Sequence, residues 1–254
     1  MDCLLAVRFD FDTVGDFLFD PIILRAMRET LYIAIIAMVL GIVLGIVLAV
    51  MRVSRNPIAA TFGGLYVWFW RGTPVVLQLL LMYFGLRQLI EDDTFRDNWT
   101  RWRAAVLTFG LNEAAYMAEI VRAGILSVES GQMDAAKSLG MTNLQAMRRI
   151  ILPQALRVVV PPTGNEFVAM LKNTSVAFAI GVVELLNAAK IQAARSFKVM
   201  ELYTVAAFWY LVLVTVFGLF QAELERVLAV SERERPESLL SRMVAIVGGG
   251  RRGI

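Results

Sequence analysis

A chain of 254 residues could hold one or two soluble domains, but 58% apolar against 19% charged residues lies outside the soluble range and reads as a membrane protein. No histidine and a single cysteine, Cys3, exclude histidine acid/base catalysis, histidine-ligated metal centres, disulfide frameworks and multi-cysteine zinc sites. The net charge of +3 arises from basic residues in short runs between apolar segments, the pattern of loops at a membrane surface rather than of a nucleic-acid face.

Residues 1–20 carry Asp2, Asp10, Asp12, Asp16 and Asp20, unlike a cleavable secretory leader, so residues 1–28 are expected outside the cytoplasm. Between Glu29 and Arg52 lie 22 uncharged residues, about 33 Å of helix against a hydrocarbon core of about 30 Å, and these form the first span. Its Gly41 and Gly45 have the spacing of a close helix approach, a spacing that chance produces equally well in an apolar stretch. From Asn56 to Leu86 the only charge is Arg71, preceded by the interfacial rings Tyr66, Trp68, Phe69 and Trp70. Thr73 and Pro74 suit an N-cap and a first helical position, so the second span is expected from there to about Ile90, closed by the polar stretch Glu91 to Arg103. Residues 104–125, interrupted by Glu113, Glu119 and Arg122, form the third span, and residues 161–183, interrupted by Glu166 and Lys172, the fourth. Pro161, Pro162 and Gly164 fit either a flexible point or a helix start. Residues 202–222 carry no charge and make the fifth, followed by a polar tail over 227–254. An all-α integral membrane protein with five transmembrane helices is therefore expected. With the N-terminus outside and the C-terminus cytoplasmic, the inner segments hold 14 Lys/Arg and the outer ones 10, which favours that orientation.

Residues 126–156 are too polar to span, yet they carry helix signals. Ser130 can cap a helix with Asp134 in its first turn, Lys137 in its last and Gly140 as the left-handed stop. Thr142 with Gln145 forms a capping box for a second helix expected to run to Leu152 and to halt before Pro153. A helix–turn–helix unit of this kind fits a cytoplasmic docking loop, or an amphipathic hairpin on the membrane surface.

The stretch MDAAKSLGMTNLQAMRRIILPQALR resembles the EAA loop of ABC importer permeases, with Asp134, Ala135, Ala136 and Gly140 on its landmark positions and Asp134 standing where the family usually has Glu. WRGTP (Trp70 to Pro74), NEAAYMAEIVRAGI (Asn112 to Ile125) and PPTGNEFVAMLKNTS (Pro161 to Ser175) are similar, in order, to motifs of the polar amino-acid uptake subfamily. The four together cover roughly residues 28–190. The resemblance implies a five-helix permease domain over 29–226 with a cytoplasmic coupling-helix (EAA) loop at 126–156, in a prokaryotic inner membrane. It further implies ABC ATPase subunits, a second permease subunit (a copy or a related chain), an extracytoplasmic substrate-binding protein and a polar amino acid as partners, in contact with membrane lipid. No GxxxxGK[ST] loop occurs in the chain, so ATP and Mg are expected on the partner ATPase, with no cofactor, metal or catalytic residue in this chain.

Ionisable residues cost about 2.5–3.5 kcal/mol at a bilayer centre and so are expected to face the bundle interior. Glu113 and Lys172 lie halfway along spans three and four, where they fit either the two charges of an amino acid or a pair with each other. Asn112, Tyr116 and Glu119 share one helical stripe, Glu166 and Asn173 another, and these seven residues are the candidate substrate path. For Glu119 a local pair with Arg122 at i+3 is the alternative.

Overall fold

The computed structural model describes residues 9–228, and these are helical nearly throughout, with no β-strand among them. Helix α1 (Phe11–Leu18) starts where the Asp10 carboxylate accepts from the N–H groups of Asp12 and Thr13. α2 (Pro21–Val53) starts in the same manner, with Asp20 accepting from Ile22 N–H and Pro21 in the first turn, where its missing N–H costs nothing. Its 33 residues span about 50 Å, well beyond the uncharged stretch.

α3 (Pro57–Gly72) begins behind the cap Asn56, and the chain then turns by 102° into α4 (Val75–Leu80), a π turn at Leu81–Gly85 and α5 (Leu86–Leu89). This corrects the expected cap at Thr73. Thr73 closes α3, and Pro74 occupies the cap position of α4 with no side chain to offer. The Thr73 hydroxyl donates to Phe69 carbonyl, 2.9 Å away, because the residues before it are already helical and leave that oxygen free.

After the short α6 (Asp93–Asn98), Thr100 caps α7 (Arg101–Leu126), the most enclosed helix of the bundle. α2 and α7 run parallel: Gly41 faces Glu113 and Gly45 faces Met117, with a hypothetical Cβ on Gly45 only 2.4 Å from Met117 Cβ. The glycine pair is thus a true close approach. The acidic residues on α7 are tolerated because they face protein and not lipid.

α8 (Ser130–Ser138) begins one residue earlier than expected. Glu129 occupies its cap position, so Asp134 lies beyond the first turn. Gly140 has φ +78°, and the N–H groups of Gly140 and Met141 bond the carbonyls of Lys137 and Ala136, a Schellman stop. The Thr142–Gln145 capping box opens α9 (Asn143–Ala146). No halt follows before Pro153. A π turn at Met147–Ile151 carries the helix into α10 (Leu152–Asn173), and Pro153 sits in that helix's first turn, where no N–H is required. For the same reason Pro161 and Pro162 are interior residues of α10 and not its start. α10 runs antiparallel to α7, with Gly124 packed on Ala155 and Val159.

The expected fourth span at 161–183 is both longer and broken. α10 ends in a 3₁₀ segment (Thr174–Ile180), Gly181 takes φ +76°, and α11 (Leu185–Ser196) continues at 50°. The break is fully partnered. Glu184 accepts from the N–H groups of Leu186 and Asn187 and from Tyr210 hydroxyl, and Leu185 N–H reaches Thr30 Oγ1 of α2. α12 (Val199–Leu228) closes the bundle antiparallel to α10, with Phe217 against Phe167 and Gln221 donating to Pro161 carbonyl at 2.6 Å.

Among the described residues α2 and α12 are long and apolar enough to cross a membrane unbroken, and the two bent pairs bring the number to four. Cys3 and most of the expected tail over 227–254 lie outside the described residues.

Candidate functional site

α7, α10 and the bend between α3 and α4 enclose a cavity of about 310 Å³. Asn112, Glu113 and Tyr116 reach it from α7, Glu166, Met170 and Asn173 from α10, and Thr73 to Val75 from the bend. Five of the seven candidate path residues are therefore brought together. Glu166, Met170 and Asn173 follow i, i+4, i+7 and share a stripe, whereas Lys172, six residues after Glu166, falls about 120° away. Lys172 is exposed and does not line the cavity.

No pair forms between Glu113 and Lys172. Glu113 is 4% exposed, and its Oε1 has no hydrogen-bond partner, alone in this respect among the described buried side chains. Its Cβ and Cγ press onto α2 where Gly41 has no side chain, which fixes the carboxylate against the backbone of its neighbour. An unpartnered buried acceptor costs about 1–3 kcal/mol, more when charged, and marks a place where a ligand has something to supply.

Asn112 is spoken for. Its Nδ2 donates to Trp70 carbonyl at 3.0 Å and to Gln78 Oε1 at 2.9 Å. Gln78 Nε2 in turn donates to the carbonyls of Trp70 and Thr73 and to Thr73 Oγ1. A 102° turn strands the last carbonyls of α3, and these two amides serve them. Gln78 is nearly fully buried, and sequence reasoning missed it because nothing in its neighbourhood announces a bend that needs a donor.

Glu119 stands outside the cavity, one turn beyond Tyr116. It bonds Arg122 at 3.2 Å, as the i+3 spacing suggests, but it also pairs with Arg52 of α2 and lies 3.8 Å from Arg71 of α3. The Arg71 guanidinium sits over the Tyr116 ring, 5.1 Å from its centre. One carboxylate thus holds three guanidinium groups from three helices.

In the loop, Asp134, Ala135 and Gly140 are exposed while Ala136 is buried where α8 packs on α9 and the π turn after it. Leu139 and Leu144 stand out at 81% and 67% exposure, apolar side chains left uncovered by the described residues. Among the described residues no cluster of side chains could hold a metal ion.

An all-helical bundle of apolar and broken helices around a small polar cavity is the architecture of a membrane transport protein. The chain belongs to the family of binding-protein-dependent transport system inner membrane components, which matches residues 41–230. Its relatives include the probable amino-acid permease protein YxeN of Bacillus subtilis, 41% identical over 209 residues (82% of this chain, 92% of that one). The arginine transport system permease protein ArgU of Corynebacterium glutamicum is 42% identical over 226 residues (86% and 72%). The crystal structure of an amino acid ABC transporter with histidines superposes with a TM-score of 0.77 at 34% identity, covering 86% of this chain and 99% of that one. An inward-facing MetNI methionine ABC transporter shares the fold at 19% identity and TM-score 0.68. The resemblance carried by the four motifs therefore holds: this is a membrane-embedded permease component of the ABC transporter class.

Proposed function

We propose that the chain is the membrane-spanning subunit of an ATP-driven importer that moves a polar amino acid into the cytoplasm by alternating access. The observation that carries the reading is the cavity between α7 and α10, which gathers residues of three separate sequence motifs around a buried carboxylate without a partner. A five-span arrangement agrees with the helix directions, since α2 and α7 are parallel, α10 opposes α7 and α12 opposes α10, and the Lys/Arg balance puts the N-terminus outside. Asn112, Glu113, Tyr116, Glu166 and Asn173 belong to the path, with Asn112 and, outside the cavity, Glu119 acting as braces, while Lys172 lies off it.

Force enters through residues 126–156. Asp134, Ala135, Ala136 and Gly140 shape the knuckle that docks on a separate ATPase, and ATP and Mg are held by that partner. The exposed Leu139 and Leu144 support this reading, because two unpartnered leucines beside a tight glycine stop suit a protein groove. A second permease subunit completes the pore and an extracytoplasmic binding protein delivers the amino acid. Reconstitution with the ATPase and binding protein tests the proposal: amino-acid uptake into vesicles is expected to need ATP on the ATPase side and to survive an uncoupler. Uptake that an uncoupler abolishes and ATP does not support would replace it with a gradient-driven carrier.

A further inference from the structure

We infer that the cavity selects an amino acid whose side chain is cationic, and that Glu113 is the residue that makes the selection; the inference rests on the importer reading above. The charged side chains lining the cavity are Glu113 and Glu166, with no lysine or arginine among the lining residues. Lys172 points elsewhere, and the guanidinium closest in the frame, Arg71, is held by Glu119 and the Tyr116 ring, with its charge also felt at Glu166, so that Glu113 is the carboxylate left without a cation. The amide of Asn112 is spent on Trp70 and Gln78, so it has little left to donate to Glu113. The wall therefore offers two carboxylates, with the Tyr116 hydroxyl and the Asn173 amide as its donors for the α-carboxylate that every amino acid also brings.

Glu113 Oε1 is enclosed and unpartnered, and its Cβ and Cγ lie against α2 at Gly41. A ligand that enters has to supply donors. Every amino acid brings one ammonium group, which satisfies one of the two carboxylates. A glutamine-like substrate leaves the other carboxylate with at best a neutral amide, and a glutamate-like one adds a like charge in a low-dielectric site. A guanidinium or a second ammonium neutralises it through a charge-assisted hydrogen bond. The volume, about 310 Å³, is at the lower end of small-ligand sites and suits a single amino acid.

Equilibrium binding of radiolabelled arginine, glutamine and glutamate to the full-length permease in complex with its ATPase, without the binding protein, tests this. Arginine is expected to bind at least about 30-fold more tightly than glutamine, the ratio that corresponds to about 2 kcal/mol for one buried charge pair, and glutamate not measurably. Glu113→Gln is expected to lower arginine affinity by about 30-fold and to change glutamine affinity by less than about twofold; Glu113→Asp keeps the preference for arginine. Glutamine or glutamate binding as tightly as arginine, or a folded Glu113→Gln complex that still binds arginine like the wild type, overturns the inference. Should Glu113→Gln not assemble, the wild-type and Glu113→Asp preferences decide it. Binding of none of the three overturns the cavity as a substrate site, and ATP-driven uptake by the assembled transporter then says whether the importer reading falls with it.

Discussion

Gly45→Ala is the sharpest probe of how the bundle is held together. A Cβ at this position would lie 2.4 Å from Met117 Cβ and 3.1 Å from both Ala114 carbonyl oxygen and Ala118 nitrogen, against 3.4–4 Å for ordinary contact. No rotamer relieves this, because the obstacles are a Cβ and two backbone atoms, so α2 and α7 have to part. Overpacking of a tight contact costs about 1–3 kcal/mol, and exchanging glycine for alanine inside a helix returns up to about 1 kcal/mol. The expected balance is a loss of about 1–2 kcal/mol, a fall of about 2–8 °C in the apparent midpoint of thermal unfolding in detergent. Gly64, on α3, meets nothing within 4 Å, so Gly64→Ala serves as the control and is expected to match or exceed the wild type. A Gly45→Ala protein as stable as wild type would refute the close parallel packing of the two helices.

Three further predictions concern the frame around the cavity, the cap of α1 and the stop of α8. Glu119→Gln is expected to lower the unfolding midpoint more than Arg122→Gln, since removing the carboxylate leaves three guanidinium groups facing one another; equal effects in a thermal series would count against the shared cluster. Asp10 is held at about 2, below its ordinary 3.8, first by the Thr13 hydroxyl and then by Lys198. Because its folded value is the lower one, its contribution is complete above pH 3.8 and is lost as pH falls toward 2. Trp209, whose indole N–H donates to Leu18 carbonyl at the end of α1, should report this as a fluorescence change over that range, absent in Asp10→Asn. Gly140→Val places a β-branched residue at φ +78°, at a cost of about 1–2 kcal/mol to the stop of α8, and is expected to lower uptake per ATP hydrolysed while leaving membrane insertion unchanged; unchanged coupling in vesicles would contradict the role of the knuckle.

Local signals proved readable where one stretch of chain decides the outcome. The Thr142–Gln145 box, the left-handed Gly140 and the Glu119–Arg122 spacing each need only neighbours within four residues. Proline misled twice for one reason. Pro153 and Pro161 look like boundaries in isolation, but a π turn before Pro153 had already moved the start of α10 upstream, leaving one proline in a first turn and the other in the interior. What the sequence hid is partnership at long range. Gln78 is defined by carbonyls stranded at a bend, Glu184 by a tyrosine 26 residues away, Leu185 N–H by a threonine on α2, and the isolation of Glu113 by the helical phase that turns Lys172 outward. None of these has a periodicity. The cavity wall itself was foreseeable as two stripes, because stripe membership depends only on the 3.6-residue repeat.

The glycine notches between α2 and α7 have a consequence for motion. With Leu40 seated over Gly110, and Gly41 and Gly45 receiving Glu113 and Met117, the two helices are keyed at three successive turns and slide or splay only by dismantling all of them at once. They form the fixed jamb of a doorway. The opposite side, α10, carries two prolines and a glycine within four residues, met by Gln221 of α12, and this segment has the built-in compliance of a leaf. The wall is thus uneven in stiffness: the half built on α2 and α7 is keyed together, and the half bearing Glu166 is the more pliable.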